Sequence, residues 1–331
     1  MTTDIAPLLS VQDLRTEFAT PVGPAHVVNG VSFDVPRGEI VGIVGETGCG
    51  KSVTVRSILG LVRPPGEVVG GRAVLDGTDL VGLPAKALRA LRGDTIGFVA
   101  QNPFSALNPV MRIDRQFAAI IAAHEGKSSA RRTTRQRARR ALDAVGIAGS
   151  ERVLNGYAHQ LSGGMAQRVV IAMAMILDPA LVVADEPTTG LDLTVQRQIL
   201  DLIQGLVREE GRSMLLVTHD LGVVAQYCSS VVVMYAGTVV ESGPVTSVLT
   251  RPDHPYTAAL LAAIPRRGHQ LVHLEGRLPD LVEYPPGCPF ADRCPHVFER
   301  CREEAPGVSV SGDGHEYRCH LPEGVAADGV A

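Results

Sequence analysis

Short apolar runs bounded by glycine, proline or charged residues recur along the chain: Ile40 to Val44, Leu181 to Ala184, Met214 to Thr218 and Val231 to Tyr235. Runs this short and this apolar read as buried strands. The last is followed by Ala236-Gly237 and then Thr238 to Val240, which predicts a hairpin. Leu9 to Leu14, Val31 to Val35 and Ala73 to Leu75 lie among Gly/Pro turns and predict a separate antiparallel region. Helical periodicity holds from Gln116 to Gln160 and again from Val195 to Glu210, so strands and helices alternate as in an α/β protein. Proline punctuation at Arg251-Pro252-Asp253-His254-Pro255 marks a boundary near residue 250. The expected organisation is a first domain over 1–250, with a helical part at about 110–165, and a second over 251–331 that ends in a frayed tail.

The first buried strand runs into Gly45-Glu46-Thr47-Gly48-Cys49-Gly50-Lys51-Ser52, which opens a helix at Val53 to Leu59. Strand, glycine loop and helix in this order make a phosphate-binding loop. The glycines let backbone N–H groups close on phosphate oxygens, and the helix N-terminus adds partial positive charge. Lys51 suits the β- and γ-phosphates, and the Ser52 hydroxyl suits Mg2+. Further on, the apolar strand Leu181 to Ala184 ends in Asp185-Glu186. Asp185 is placed to hold Mg2+, directly or through water, and Glu186 to polarise a water that attacks a γ-phosphate.

With 45% hydrophobic and 20% charged residues, the 331-residue chain has the composition of a soluble globular protein. Its 31 basic and 35 acidic side chains leave a net charge of −4, which gives nucleic-acid binding no support. The run Lys127 to Arg140 holds seven Lys and Arg; it reads as a solvated helical face, with nucleic acid or lipid headgroups as the other contacts such a run serves. The longest apolar stretch, Val169 to Leu177, has nine residues, half of the roughly 18 that suggest a bilayer span. No basic region and apolar core open the chain, so a cytosolic location is expected, with membranes reached through partners. Four of six cysteines, Cys288, Cys294, Cys301 and Cys319, crowd into the last part with gaps of five, six and seventeen residues. In a reducing compartment such a group suits an iron–sulfur cluster or Zn2+ better than disulfides, with free buried thiols as the bland alternative.

Leu161-Ser162-Gly163-Gly164-Met165 lies 23 residues before Asp185. Together with the phosphate loop, it closely resembles the signature of the ATP-binding cassette (ABC) family. Gln101 in Val99-Ala100-Gln101-Asn102-Pro103 resembles the Q-loop glutamine, His219 in Thr218-His219-Asp220 the switch histidine, and Gly190-Leu191-Asp192 the D-loop; Phe18 lies where the family places an adenine-stacking aromatic. The resemblance implies an ATPase with Lys51, Gln101, Glu186 and His219 as catalytic residues, and Ser52, Gln101 and Asp185 around Mg2+. It implies ATP contacts from Phe18, Gly45, Glu46, Thr47, Gly48, Cys49, Gly50, Lys51 and Ser52, while Ser162, Gly163, Gly164 and Asp192 complete the site of a facing subunit. The implied fold is an α/β P-loop NTPase (RecA-like) core with an antiparallel β subdomain, a helical signature subdomain and a small Cys-rich C-terminal extension. Two positions depart from the family pattern: Met165 replaces a common glutamine, and Cys49 replaces a common serine. A thiol at a helix N-terminus is expected to be reactive.

Asn102-Pro103-Phe104-Ser105-Ala106-Leu107-Asn108-Pro109, Met234-Tyr235-Ala236-Gly237, His254-Pro255-Tyr256-Thr257, and Gly287 to Cys294 with Cys301 and Arg318-Cys319-His320 narrow the resemblance to the ATPase subunits of bacterial di- and oligopeptide importers. That branch implies a peripheral protein on the cytoplasmic face of the membrane. Its implied partners are a second ABC ATPase, related or identical, two transmembrane permease subunits and an extracytoplasmic solute-binding protein, without direct nucleic-acid contact. The implied cofactors are ATP, Mg2+ and a [4Fe-4S] cluster on the four cysteines, with Zn2+ as the alternative. Importers of nickel or other small solutes carry very similar motifs and remain an alternative, as does a soluble ABC ATPase acting on nucleic acid or ribosomes.

Overall fold

Buried and exposed side chains alternate along Leu9–Thr20, strand β1, but the phase changes partway: Leu9 and Val11 are buried, then Leu14 and Thr16. Asp13, at φ 46°, sits at this change as a bulge, which keeps one face of the strand on the core. The alternation therefore broke at Leu14 in the sequence although the strand runs on to Thr20. The computed structural model describes residues 6–125, 131–209, 211–264, 276–312 and 314–324. They form two compact units, one built from 1–35, 40–82 and 218–331, the other from 36–39 and 83–217.

In the first unit, β1 is flanked by β2 (Gly23–Val35) and β4 (Gly66–Leu75), both antiparallel, with Leu9 opposite Val35 on one side and Leu75 on the other. β3 (Ile40–Val44) is wholly buried, and β5 (Thr78–Asp79) closes the first sheet beside β4. The chain then enters the second unit, where β6 (Ile96–Val99), β7 (Leu181–Asp185) and β8 (Ser213–Val217) lie parallel in the order β8-β7-β6. Every residue of β7 and β8 is buried, the expected state of parallel strands covered on both faces. Back in the first unit, β9 (Ser230–Tyr235) pairs parallel with β3 and forms a hairpin with β10 (Thr238–Pro244). Ala236 and Gly237 supply the two positive φ angles, 44° and 80°, of a two-residue hairpin turn. β11 (Ser309–Ser311) and β12 (His315–Tyr317) then extend the sheet to the order β11-β12-β10-β9-β3.

The helical stretch expected from Gln116 to Gln160 is broken into Ile113–Glu125, Arg131–Ala144 and Ser150–Asn155, with a short 3-10 turn at Ala158–Gln160. Gly146 and Gly149, both near φ 71°, interrupt it. On the basic helix, Thr134, Ala138 and Leu142 recur every four residues on the buried face. Arg135 is tied to Asp114 and Glu151, and Arg137 to Glu125, so two of the basic residues serve the unit's own packing. Residues 127–130 of the basic run lie outside the described residues.

The C-terminal part is held by aromatic packing more than by regular structure. Phe290 lies 5.2 Å and 5.4 Å, centroid to centroid, from Tyr235 and Tyr256, which are themselves 4.7 Å apart. All three rings are buried, and each contributes about 1.5–3 kcal/mol by leaving water. Cys288 N–H donates to the Cys301 carbonyl at 2.7 Å, closing the cysteine-rich loop on itself. Among the described residues no helix is long and apolar enough to cross a membrane.

Candidate functional site

The first unit carries the phosphate loop at the end of β3. Gly45, Gly48 and Gly50 adopt φ of 152°, 88° and 103°. A Cβ at residue 45 would lie 2.2 Å from the Met234 carbonyl oxygen, and one at residue 50 would lie 2.5 Å from that of Val27. Glycine is thus demanded there by conformation and by close backbone approach. The loop leads into helix Lys51–Ile58, with Gly50 at its cap and Ser52 in its first turn. Lys51 is buried, and its Nζ donates to the carbonyls of Gly45 at 2.7 Å and Glu46 at 3.0 Å. Glu46 is held at two further points. Its N–H donates to the Tyr256 hydroxyl at 2.9 Å, and its carboxylate takes both terminal nitrogens of Arg293 at 2.8 and 2.9 Å.

Two more expected residues belong to this unit. Thr218 N–H donates to the Ile43 carbonyl of β3, which sets the exposed His219 just beyond that strand. Asp220 next to it caps helix Leu221–Tyr227 by accepting from the N–H groups of Gly222 and Val223. Phe18 is half-buried on β1, its ring lying over Gly66, where a Cβ would come within 2.6 Å.

The second unit assembles the acidic group. Asp185 ends β7 and is buried. Glu186 turns away at φ 46°, an uncommon angle for a residue with a side chain, and its N–H is fixed by the Val217 carbonyl at 2.9 Å. Glu186 Oε2 accepts from Gln101 Nε2 at 3.0 Å and from Thr189 Oγ1 at 2.9 Å. The structure therefore brings together Gln101 and Glu186, 85 residues apart. In the same unit Ser162 caps helix Gly163–Met175, its hydroxyl accepting the Met165 N–H at 3.3 Å. Asp192 caps the next helix, Leu193–Glu209, by accepting from Thr194 and Val195 at 3.1 and 3.0 Å. The two helix starts touch: a Cβ at Gly164 would lie 3.0 Å from Val195. Ser162 and Asp192 are both exposed.

A family profile described as ABC transporter matches residues 28–189, and one described as the C-terminal region of oligopeptide/dipeptide transporters matches residues 240–301. The dipeptide transport ATP-binding protein DppD of Bacillus subtilis is 44% identical over 320 residues, which cover 96% of this chain and 95% of that protein. The oligopeptide transport ATP-binding protein OppD of Salmonella typhimurium is 42% identical over 318 residues, covering 95% and 94%. The chain belongs to the ABC transporter ATP-binding family. It is an ATPase cassette, and its P-loop NTPase fold is shared with solved cassettes. One of these, a dimeric ATP-binding cassette bound to ADP and Pi, is 27% identical with a TM-score of 0.64 over 72% of this chain and 98% of its own. Another, cbiO1 from Clostridium perfringens, is 28% identical with a TM-score of 0.61 over 73% and 90%.

One expectation about the cassette is corrected. Cys49 is 1% exposed, and burial pushes its thiol up against the opposing pull of Lys51. It is a packed, protonated thiol and not a reactive one. Three residues that hold the site were not singled out for that role from the sequence: Thr189, Tyr256 and Arg293. Tyr256 and Arg293 each stood inside a motif of the subfamily without a role of their own, whereas Thr189 carries no local pattern that announces it.

The cysteine-rich C-terminal part places its thiols within electrostatic range of one another. Burial raises Cys288 to about 12, and the charges of Cys319, Cys294 and Cys301 add to the rise. Burial likewise raises Cys319 to about 11 and also raises Cys294. The Leu321 N–H donates to the Cys319 sulfur at 3.5 Å. Among the described residues, the one group whose potential metal-ligating atoms lie within 4.8 Å of one another is instead Glu241, Asp253 and His315. There His315 Nε2 is 2.6 Å from Glu241 Oε1, a hydrogen bond shorter than the roughly 3.3 Å that separates two ligands on one tetrahedral ion. Glu241 on β10, His315 on β12 and Asp253 in the loop before helix Pro255–Ala262 thus form a buried, hydrogen-bonded ion group.

Proposed function

We propose that the chain is the ATP-hydrolysing subunit of a bacterial di- or oligopeptide importer, peripheral on the cytoplasmic face of the membrane. The observation that carries this reading is the match along 96% of the chain to a dipeptide transport ATP-binding protein, joined by the oligopeptide/dipeptide C-terminal profile at 240–301. The cassette proper would span 1–250, with its helical part at about 110–165, and the extension 251–331. Two permease subunits, a second ABC ATPase and an extracytoplasmic solute-binding protein complete the machine.

In this reading, the N–H groups of residues 45–52 wrap the phosphates of ATP, Lys51 neutralises the β/γ-phosphates and Phe18 stacks on adenine. Ser52, Gln101 and Asp185 are assigned to Mg2+, which when bound neutralises charge on the phosphates. The buried Asp185 and the helix-opening Ser52 have the hard oxygen donors this ion prefers. Glu186 polarises the attacking water. Gln101 and Thr189 both donate to its Oε2, which fixes the direction of the carboxylate. His219 acts as the switch near the γ-phosphate. Ser162, Gly163, Gly164 and Asp192 serve the nucleotide of a facing cassette; the exposure of Ser162 and Asp192 and the dimeric state of the ADP-bound relative support this. ATP then closes the pair and hydrolysis reopens it, which is the motion a permease can use.

The four cysteines are assigned to a [4Fe-4S] cluster that ties a loop-rich segment to itself. Their mutual electrostatic range and the Leu321 N–H that donates to the Cys319 sulfur support the assignment. Iron and zinc analysis of protein prepared without oxygen decides it, zinc at one per chain being the contrary result.

Isolation of the tagged full chain in mild detergent tests the main reading. Permease and ATPase subunits are expected to co-purify, and labelled dipeptide uptake to depend on the chain. Nickel uptake in place of peptide uptake would redirect the substrate, and co-purifying ribosomes or nucleic acid would overturn the importer.

A further inference from the structure

The cysteine-rich segment reaches the phosphate loop through one side chain. Arg293 immediately precedes Cys294 and ends the 3-10 turn Ala291–Arg293, its N–H bonded to the Phe290 carbonyl at 3.0 Å. Its guanidinium is 5% exposed and grips both carboxylate oxygens of Glu46 in the two-pronged geometry that makes arginine–carboxylate pairs strong and directional. The guanidinium also donates to the Tyr235 hydroxyl at 3.3 Å and lies 5.6 Å from that ring's centroid. Gly276 packs against its stem, since a Cβ there would lie 3.0 Å from Arg293 Cγ. Glu46 is thereby fixed by its N–H, its carbonyl and its carboxylate, through Tyr256, Lys51 and Arg293 respectively. Two of these three ties come from residues beyond 250. A further consequence is electrostatic: Arg293 cancels the negative charge that Glu46 would otherwise present beside a bound triphosphate.

We propose that Arg293 is a positioning residue for ATP, presetting the phosphate loop through Glu46 and making nucleotide affinity depend on the cysteine-rich segment. The inference rests on the reading of residues 45–52 as the phosphate loop. Whatever the four sulfurs hold anchors the turn from which Arg293 projects. Loss of the clamp both loosens Glu46 and leaves its charge uncancelled, so binding suffers before chemistry does.

Titration of the full chain with a fluorescent ATP analogue, paired with steady-state phosphate release from the assembled transporter, tests this. R293A is expected to weaken nucleotide binding about tenfold, the low end for losing a hydrogen-bonded charge pair, with the loss in KM and kcat preserved. R293K keeps the charge without the fork and gives an intermediate loss, which carries the test if R293A fails to fold. E46Q combined with R293A is expected to recover part of the affinity, a suppression that a purely architectural role does not produce. K51A separates the two readings: if it leaves nucleotide binding intact, the phosphate-loop assignment itself fails. If K51A abolishes binding while R293A and R293K bind as the parent does, with only a lower Tm, Arg293 is architectural and the proposal is overturned.

Discussion

Replacing His315 with glutamine interrogates the buried ion group that fastens β12 to β10. In the parent, His315 Nε2 lies 2.6 Å from Glu241 Oε1 and Nδ1 lies 3.4 Å from Asp253 Oδ2, with all three side chains at 0% exposure. Burial alone would lower the imidazole pKa. The hydrogen bond that His315 donates to Glu241 and the charges of Glu241 and Asp253 outweigh burial and the opposing charge of Arg251, and they hold the pKa above its ordinary 6.5. A histidine whose pKa rises on folding grips its proton more tightly in the folded chain. Its stabilisation is therefore full below pH 6.5 and is lost as pH climbs through the higher folded value. Removing one charge from a buried pair costs about 3–5 kcal/mol. Here Glu241 keeps the N–H groups of Asp253 and His254, and Asp253 keeps that of Gly324. Those donors place the expected loss near about 3 kcal/mol, or roughly a hundredfold in the opening equilibrium. Hydrogen exchange of the Arg318 amide, which donates to the Val240 carbonyl at 2.8 Å, reads that opening locally. A local probe is needed because a chain of two units need not unfold in one step. After correction for intrinsic rates, H315Q should exchange about a hundredfold faster than the parent at pH 6, with the gap narrowing in mildly alkaline buffer. A gap that is absent, or equal at both pH values, refutes the reasoning.

E186Q should retain ATP while steady-state phosphate release by the assembled transporter falls by at least about a hundredfold, the usual contribution of a positioned base; release at the parental rate would remove Glu186 from that role. G50A puts a Cβ 2.5 Å from the Val27 carbonyl at φ 103°, so nucleotide binding should be lost together with about 1–3 kcal/mol of stability, read by titration and urea unfolding. Cys49 should resist alkylation by iodoacetamide in the folded chain and become labelled in urea; modification at the rate of a free cysteine would contradict its burial.

The phosphate loop was legible because its demands are local: each glycine answers to a dihedral angle or to a neighbour that any such strand–loop–helix brings near. The buried parallel strands were legible for the same reason, since apolar runs such as Leu181 to Ala184 need no knowledge of their partners. β1 was read too short because the bulge at Asp13 breaks the alternation on which the reading depends. What stayed hidden is what depends on distant pairing. Glu46 and Arg293 are 247 residues apart, and neither type of residue is unusual where it stands. His315 likewise gives no sign in the sequence that it will meet Glu241, 74 positions earlier. The pairing of Gln101 with Glu186 was anticipated only in the sense that both belonged to one motif series, and Thr189, the third member, had no such context. Cys49 shows the reverse error, a local rule about helix N-termini overridden by the packing around it.

The short hairpin of β11 and β12 also has a protective effect. By bonding to Glu241 and Ser242 it covers the outer side of β10, whose unpaired N–H and C=O groups would otherwise invite another chain to add a strand. The border it offers in exchange is only three residues long. A version of the chain cut before residue 309 would lose this shield, and clumping rather than simple loss of activity would be its first defect.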